Sequence, residues 1–182
     1  NKLMGVLSSD GLVLLPTDTV WGIGCDATSA KAVEKIYLLK NRPKDKPLIV
    51  LVDGMEMLKD YVAHVHPKIE TLLNFHERPL TVIYGEARNI APNACANDGS
   101  IGIRIVRDDF CRKVISDFGK PIISTSANVS GQDFPRNFGE ISSDILMGVD
   151  FVSKIKQSDK KRSEPSVIVK LAENGELEFL RE

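Results

Sequence analysis

Apolar residues in this chain come in short runs, separated by longer stretches in which hydrophobic positions recur every three or four residues. The runs "LVLLP" (12–16), "LIVLV" (48–52), "LTVIY" (80–84), "SIGIRIV" (100–106), "PIIS" (121–124), "SVIVKL" (166–171) and "LEFLR" (177–181) have the length and β-branched content of strands. The stretches between them predict helices over 30–40, 55–63, 67–75, 109–118 and 137–146, the first entered through Asp26, Thr28 and Ser29 as candidate caps. Strands alternating with helices define an α/β layer structure. The two closely spaced runs near the C-terminus predict a mixed rather than a purely parallel sheet. No repeat, low-complexity tract or linker-like composition interrupts the pattern, so residues 1–182 read as one domain.

At 182 residues and 42 % hydrophobic, such a domain buries about 70 % of its unfolded surface and needs no covalent staples. Lys plus Arg number 24 against 25 Asp plus Glu, a balance that argues against coating nucleic acid through global charge and makes any anion site a local one. Cys25, Cys95 and Cys111 lie far apart and form no CxxC pair. That argues against a disulfide framework or a thiolate zinc site and for a reducing, cytoplasmic setting. His64, His66 and His76 fall in or beside a polar helical stretch without matched acidic ligands, the pattern of a solvated surface rather than a metal cluster. No apolar run reaches the length of a membrane span, and the N-terminus lacks the basic-then-apolar order of a signal peptide. With Asn1 in first place, native residues upstream are expected.

Open α/β sheets bind ligands outside the carboxyl ends of their strands, which points to "PTDT" (16–19) and "STSAN" (124–128). Gly22 to Ala27 formally match the dinucleotide fingerprint GxGxxA, but Thr17 to Trp21 separate the glycines from the preceding run, and the fingerprint needs its first glycine in the turn that ends the strand. Walker and GxSxG sequences are absent, so Ser124 and Ser126 have no hydrolase elbow. In "LLKNRPKDKPL", Val33, Ile36 and Tyr37 form one helical stripe whose next position is Lys40, so its ammonium points to the core side at the helix end. It either snorkels and caps terminal carbonyls or, with Arg42 and Lys46, builds an anion clamp.

In "SIGIRIV", alternation sets Ser100, Gly102 and Arg104 on one face, where Gly102 either admits a neighbouring backbone or leaves space between a hydroxyl and a guanidinium. "STSANVSG" (124–131) reads as a turn whose small polar residues satisfy loop backbone, or as a polar cradle for a ligand. If extended, it puts Ser124, Ser126 and Asn128 on one side.

The ordered set "LLPTDTVWGIGCDA", "KNRPKDKPLIVLV", "SIGIRIV" and "STSANVSG" resembles the threonylcarbamoyl-AMP synthase (YrdC-like) family, in its short single-domain form, over nearly the whole chain. The resemblance implies an α/β single-domain twisted mixed sheet flanked by helices, with a basic concave surface. It implies a nucleotidyltransferase that joins L-threonine, bicarbonate and ATP into threonylcarbamoyl-AMP with release of pyrophosphate. Mg2+ held mainly by the ATP phosphates and a mechanism without a covalent enzyme intermediate come with it. So does a downstream tRNA threonylcarbamoyl transferase that modifies the adenosine beside the anticodon, with tRNA or double-stranded RNA as a further expected partner.

By position, Lys40 and Arg42 match the family's KxR pair, and Ser126 and Asn128 its SxN pair; these four are expected to be catalytic. Lys46, Ser100 and Arg181 are expected to face ATP together with Lys40, Arg42 and Ser126. Thr19, Arg104, Ser124 and Ser166 are expected around threonine, Arg104 being suited to its carboxylate. Leu51 stands where many members carry a histidine and is expected to contact the threonine methyl, while "EPSVIVKL" replaces the usual STVVDL pattern and leaves Ser166 as the hydroxyl there. Two alternatives stay open. A related carbamoyl-adenylate or carbamoyl-transfer enzyme normally brings Cys-rich modules, of which this sequence has none, and a non-catalytic RNA-binding module would bind RNA without turning over ATP.

Overall fold

Caps fix the boundaries of the main helices in the computed structural model, which describes residues 1–159 and 164–181. Helix α2 (Ala30–Lys40) starts where the Ser29 hydroxyl accepts from the Ala32 amide at 3.1 Å and stops at Asn41, whose φ of 50° is left-handed. Helix α5 (Asp109–Phe118) starts under the Asp108 carboxylate, which accepts from the Cys111 amide at 3.0 Å, and ends at Gly119 with φ 79°. The other helices are α1 (Lys2–Ser8), α3 (Met55–Tyr61), α4 (Pro67–Phe75) and α6 (Ser143–Gly148).

The strands β1 (Val13–Leu15), β2 (Gly22–Asp26), β3 (Ile49–Val52), β4 (Leu80–Tyr84), β5 (Ile101–Ile105), β6 (Ile122–Ser126), β7 (Phe151–Val152), β8 (Val167–Leu171) and β9 (Leu177–Arg181) form one sheet. Its order is β7-β1-β2-β6-β3-β5-β4-β8-β9. The sheet is mixed, as the pattern predicts: β1 with β7, β3 with β5 and β4 with β8 run parallel, and the other neighbours antiparallel.

Alternation along the strands sorts the two faces. Val50, Val82, Ile103, Ile123 and Val169 point into the larger core, where Val33, Ile36, Leu58, Ile69 and Ile145 of the helices pack on them. The opposite face is covered only in part. There Leu3 and Leu7 of α1 and Val114 and Ile115 of α5 close over Val13, Leu15, Leu51 and Ile122, each buried aliphatic chain stabilising the fold by about 1.5–3 kcal/mol. The remainder of that face is left for the site.

Three features depart from the hydrophobic pattern. Strand β2 is buried along its full length, yet its sequence GIGCD carries side chains only weakly suited to a strand, because Gly22 and Gly24 lie beside Ser126 and Ser124 of β6. A Cβ on Gly24 would stand only 2.9 Å from the Ile123 carbonyl oxygen and one on Gly22 2.3 Å from the Ser124 hydroxyl oxygen, so the close approach of β6, rather than a dinucleotide turn, accounts for these glycines. Helix α1 and the two-residue β7 are too short to carry a periodic signal. The helix expected over 137–146 is divided into a single 3-10 turn, Phe138–Glu140, and α6, with Ser142 at the N-cap between them.

Candidate functional site

The uncovered part of the second face lines a cavity of about 390 Å3. Its floor is built strand by strand from alternate residues: Ser124 and Ser126 of β6, Ile49 of β3, Gly102 and Arg104 of β5, and Ile83 of β4. Arg42, from the loop after α2, and Arg181, at the end of β9, complete a set of three guanidiniums around it. Among the described residues the lining contains no carboxylate.

Arg104 is only 4 % exposed, and its Nη2 lies 3.0 Å from Oδ1 of Asp18 in the PTDT loop. Burial pushes its pKa down and Asp18 opposes that push, so the guanidinium stays charged where water scarcely reaches it. Its Nε, also buried, has no hydrogen-bond partner among the described residues. Such a donor is costly unless a ligand satisfies it. On the far side of Arg104, the Arg181 Nε donates to the Ser166 carbonyl at 2.8 Å and its Nη2 to the Ser166 hydroxyl at 3.2 Å. That hydroxyl lies 2.7 Å from the Thr81 Oγ1 in a buried contact. Burial and, secondarily, Arg104 lower the Arg181 pKa, as expected where two cations share one wall.

In the PTDT loop the Thr17 hydroxyl donates to the Val20 carbonyl at 2.7 Å. With that proton committed, the 3.1 Å contact between Thr17 and Thr19 hydroxyls has Thr19 as donor, leaving the Thr19 lone pairs as acceptors at the cavity wall. Arg42 leans on its own loop, its Nη2 donating to the Pro47 carbonyl at 2.9 Å.

The KxR and SxN segments meet differently from the expectation. Lys40 is 1 % exposed, and its ammonium donates to the main-chain carbonyls of Ser126 at 2.5 Å and Asn128 at 2.7 Å, with the Asn128 Oδ1 at 3.5 Å. The Ser130 amide returns a bond to the Lys40 carbonyl at 2.8 Å. Lys40 therefore staples the segment after β6 to the end of α2, and its donors are taken before any phosphate arrives. Asn128 has left the extended row, because the chain turns after Ser126; its Nδ2 donates to Val129 and Gln132 carbonyls. Both readings of "STSANVSG" hold in part: 124–126 is cradle, and 127–131 is turn.

Seven of the residues singled out from the sequence line the cavity: Thr19, Arg42, Arg104, Ser124, Ser126, Ser166 and Arg181. Lys46 is exposed and contributes its carbonyl, which accepts from the Tyr37 hydroxyl at 2.9 Å. Ser100 stops short of the cavity in the turn before β5, its amide donating to Asp98. Leu51 is corrected outright: alternation places it on the same face as Ile49, but it is fully buried beneath α1 and α5 and cannot touch a ligand in the cavity. His66 is the N-cap of α4, its Nδ1 accepting from the Lys68 amide, and the His76 Nδ1 pairs with the Arg78 carbonyl. Asp18 and Thr81 escaped the sequence reading. Thr81 had a signal, a hydroxyl alternating with Ile83 in "LTVIY", whereas a lone loop aspartate reveals its role only through its partner.

The Sua5/YciO/YrdC family model, described as "Telomere recombination", matches residues 5–182. A putative threonylcarbamoyl-AMP synthase of Methanocaldococcus jannaschii is 35 % identical over 164 residues, covering 90 % of this chain and 75 % of that protein. The threonylcarbamoyl-AMP synthase of Pseudoalteromonas translucida is 28 % identical over 174 residues, covering 94 % of this chain and 91 % of its own. The crystal structure of P. abyssi Sua5 complexed with L-threonine superposes with a TM-score of 0.82 at 25 % identity, covering 98 % of this chain. This chain spans about half of that longer protein, 52 %.

Proposed function

The chain belongs to the Sua5/YciO/YrdC family, and from that premise we propose that it is a threonylcarbamoyl-AMP synthase working in the cleft of Arg42, Arg104 and Arg181. The observation that carries the proposal is that cleft itself, three guanidiniums and several hydroxyls without a carboxylate in the described lining. It suits a polyanionic nucleotide together with an amino-acid carboxylate. Two relatives whose names carry threonylcarbamoyl-AMP synthase, the M. jannaschii protein and the P. translucida protein, support the reading.

In this reading the threonine amine joins the bicarbonate carbon with loss of water. The resulting carbamate oxygen attacks the α-phosphorus of ATP, the bond to the β-phosphate oxygen breaks, and pyrophosphate leaves. Arg104 takes the threonine carboxylate, its unpartnered Nε supplying a second donor edge, with Thr19 and Ser166 beside it. Arg42 and Arg181 face the phosphates, and the Ser124 and Ser126 hydroxyls orient phosphate or carbamate oxygens. No side-chain nucleophile is required. Rate enhancement comes from positioning and from cations set where charge gathers on the leaving group. Lys40 and Asn128 act by shaping the segment that carries those serines.

The cleft suits Mg2+ carried in by the phosphates: its lining offers hydroxyls and no carboxylate, and among the described residues no group of three or more His, Cys, Asp or Glu is placed to hold a metal. Bound there, Mg2+ supplies neutralisation of phosphate charge. A tRNA threonylcarbamoyl transferase consumes the adenylate in this reading, in the cytoplasm. Among the described residues, no helix is long and apolar enough to cross a membrane.

The test is pyrophosphate release from ATP with Mg2+. Release is expected only when threonine and bicarbonate are both present, with threonylcarbamoyl-AMP as co-product. Equal release without threonine would overturn the synthase reading.

A further inference from the structure

The loop that carries Arg42 is fastened from beneath by a residue outside the cleft lining. After α2 the chain runs exposed from Pro43 to Pro47 and is buried again at Leu48, whose amide donates to the Ala94 carbonyl at 3.2 Å. The Lys44–Glu34 ion pair along the way is 2.8 Å long and open to solvent, so it contributes little. A stretch with so few buried contacts has no core of its own to fix its course.

Tyr37 of α2 holds this loop at both ends. Its carbonyl accepts from the Arg42 amide at 3.0 Å, where the loop begins, and its hydroxyl donates to the Lys46 carbonyl at 2.9 Å, where the loop closes. The residue lies on the buried stripe of the helix, 2 % exposed, so the phenol reaches the loop from a fixed base. Burial raises its pKa, opposed by the nearby Arg42 guanidinium. The hydroxyl therefore keeps its proton at neutral pH and stays a donor.

A buried phenol needs some partner, and many carbonyls would serve. The one it takes is shared with a cleft cation. The Lys46 oxygen lies 3.4 Å from the Arg42 Nε, and the carbonyl of the next residue, Pro47, accepts from the Arg42 Nη2 at 2.9 Å. The two main-chain oxygens that aim the guanidinium are neighbours in the chain, and the Tyr37 hydroxyl fixes one of them directly.

We infer that Tyr37 is a positioning residue for the nucleotide: its hydroxyl sets the Lys46 carbonyl and, through it, the direction in which Arg42 faces the cleft. The inference rests on the synthase reading for its substrate. It concerns the ATP side of the site, because Thr19, Arg104 and Ser166 belong to other segments of the chain.

Tyr37→Phe keeps the ring and deletes the oxygen. Catalytic efficiency for ATP, read from pyrophosphate release at saturating threonine and bicarbonate, should fall about threefold to tenfold, the worth of one hydrogen bond, while the KM for threonine moves less than about twofold. Unchanged ATP kinetics, or a loss shared equally by threonine, overturns the assignment. A hydroxyl that only stabilised the fold would act independently of Arg42, so the double-mutant cycle separates the two roles. In the Arg42→Ala background the same Tyr37→Phe change should alter ATP efficiency by less than about twofold; the full loss persisting there overturns the link to Arg42. Equilibrium binding of a non-hydrolysable ATP analogue with Mg2+ makes the comparison without turnover. Tyr37→Phe should weaken that binding about threefold or more, and equal binding overturns the role. If wild type binds the analogue but releases no threonine-dependent pyrophosphate, the synthase reading falls while the binding ratio still decides what Tyr37 does.

Discussion

Leu51 and Arg104 are register partners on adjacent strands, and they belong to one face of the sheet, yet Leu51 is core and Arg104 is site. What separates them is the cover. Over Leu51 lie α1 and α5, and the packing is wholly apolar; over Arg104 no helix closes, and the face turns to hydroxyls and guanidiniums. The sheet does the same work at both ends, holding side chains at fixed spacing. A face becomes a core or a binding floor according to the element laid on it, and the boundary here runs between neighbouring residues.

The largest expected effect comes from the charge at that boundary. Asp18→Asn strands the buried Arg104 guanidinium without its countercharge, and breaking a buried pair in this way costs about 3–5 kcal/mol. Denaturant unfolding should show that loss, together with a raised KM for threonine. A loss below about 1 kcal/mol, the scale of an exposed pair, would mean that the open end is solvated enough to do without Asp18.

Leu51→Ala probes the covered side. It should destabilise by about 2–5 kcal/mol through the cavity it leaves, with the threonine-to-serine ratio of catalytic efficiency unmoved. A shifted ratio would put Leu51 back against the substrate and erase the distinction between the two ends.

The most gradual effect, spread over several pH units, concerns Lys40. Burial, with a lesser contribution from Arg42, lowers its pKa to about 7, against about 10.4 for an unfolded lysine. Between those values the unfolded chain binds a proton that the folded chain does not, so this residue makes stability rise with pH, by up to about 1.4 kcal/mol per unit. The neutral amine still has two N–H groups for the carbonyls of Ser126 and Asn128. In Lys40→Met the rise is expected to vanish, so the stability gap between wild type and variant should widen from pH 7 towards pH 10. A constant gap would show that the staple is an ordinary charged lysine.

Elements with a sufficient run or stripe of apolar residues were readable from sequence: α4, α5, β4 and β9 fall where the hydrophobic pattern puts them. Strand β2 was not, because its glycines remove the side chains that alternation depends on, and their purpose lies in the close approach of the neighbouring strand β6. The site divides in the same manner. Arg104, Ser124 and Ser126 were readable because period-two geometry assigns a face. Leu51 was misplaced by that geometry, since alternation chooses a face without saying what covers it. Lys40 was correctly aimed inward, but its partners are main-chain oxygens, which have no signature in a sequence.

That last contact joins positions 86 and 88 residues apart. A lysine that grips carbonyls recognises chiefly the path of a backbone, with one longer contact to a side chain, the Asn128 Oδ1. The segment 126–128 is therefore an exchangeable part with a standard fitting: a graft from a distant relative keeps its anchor so long as it follows the same course, and the serine it presents, Ser126, can vary while the mount stays fixed.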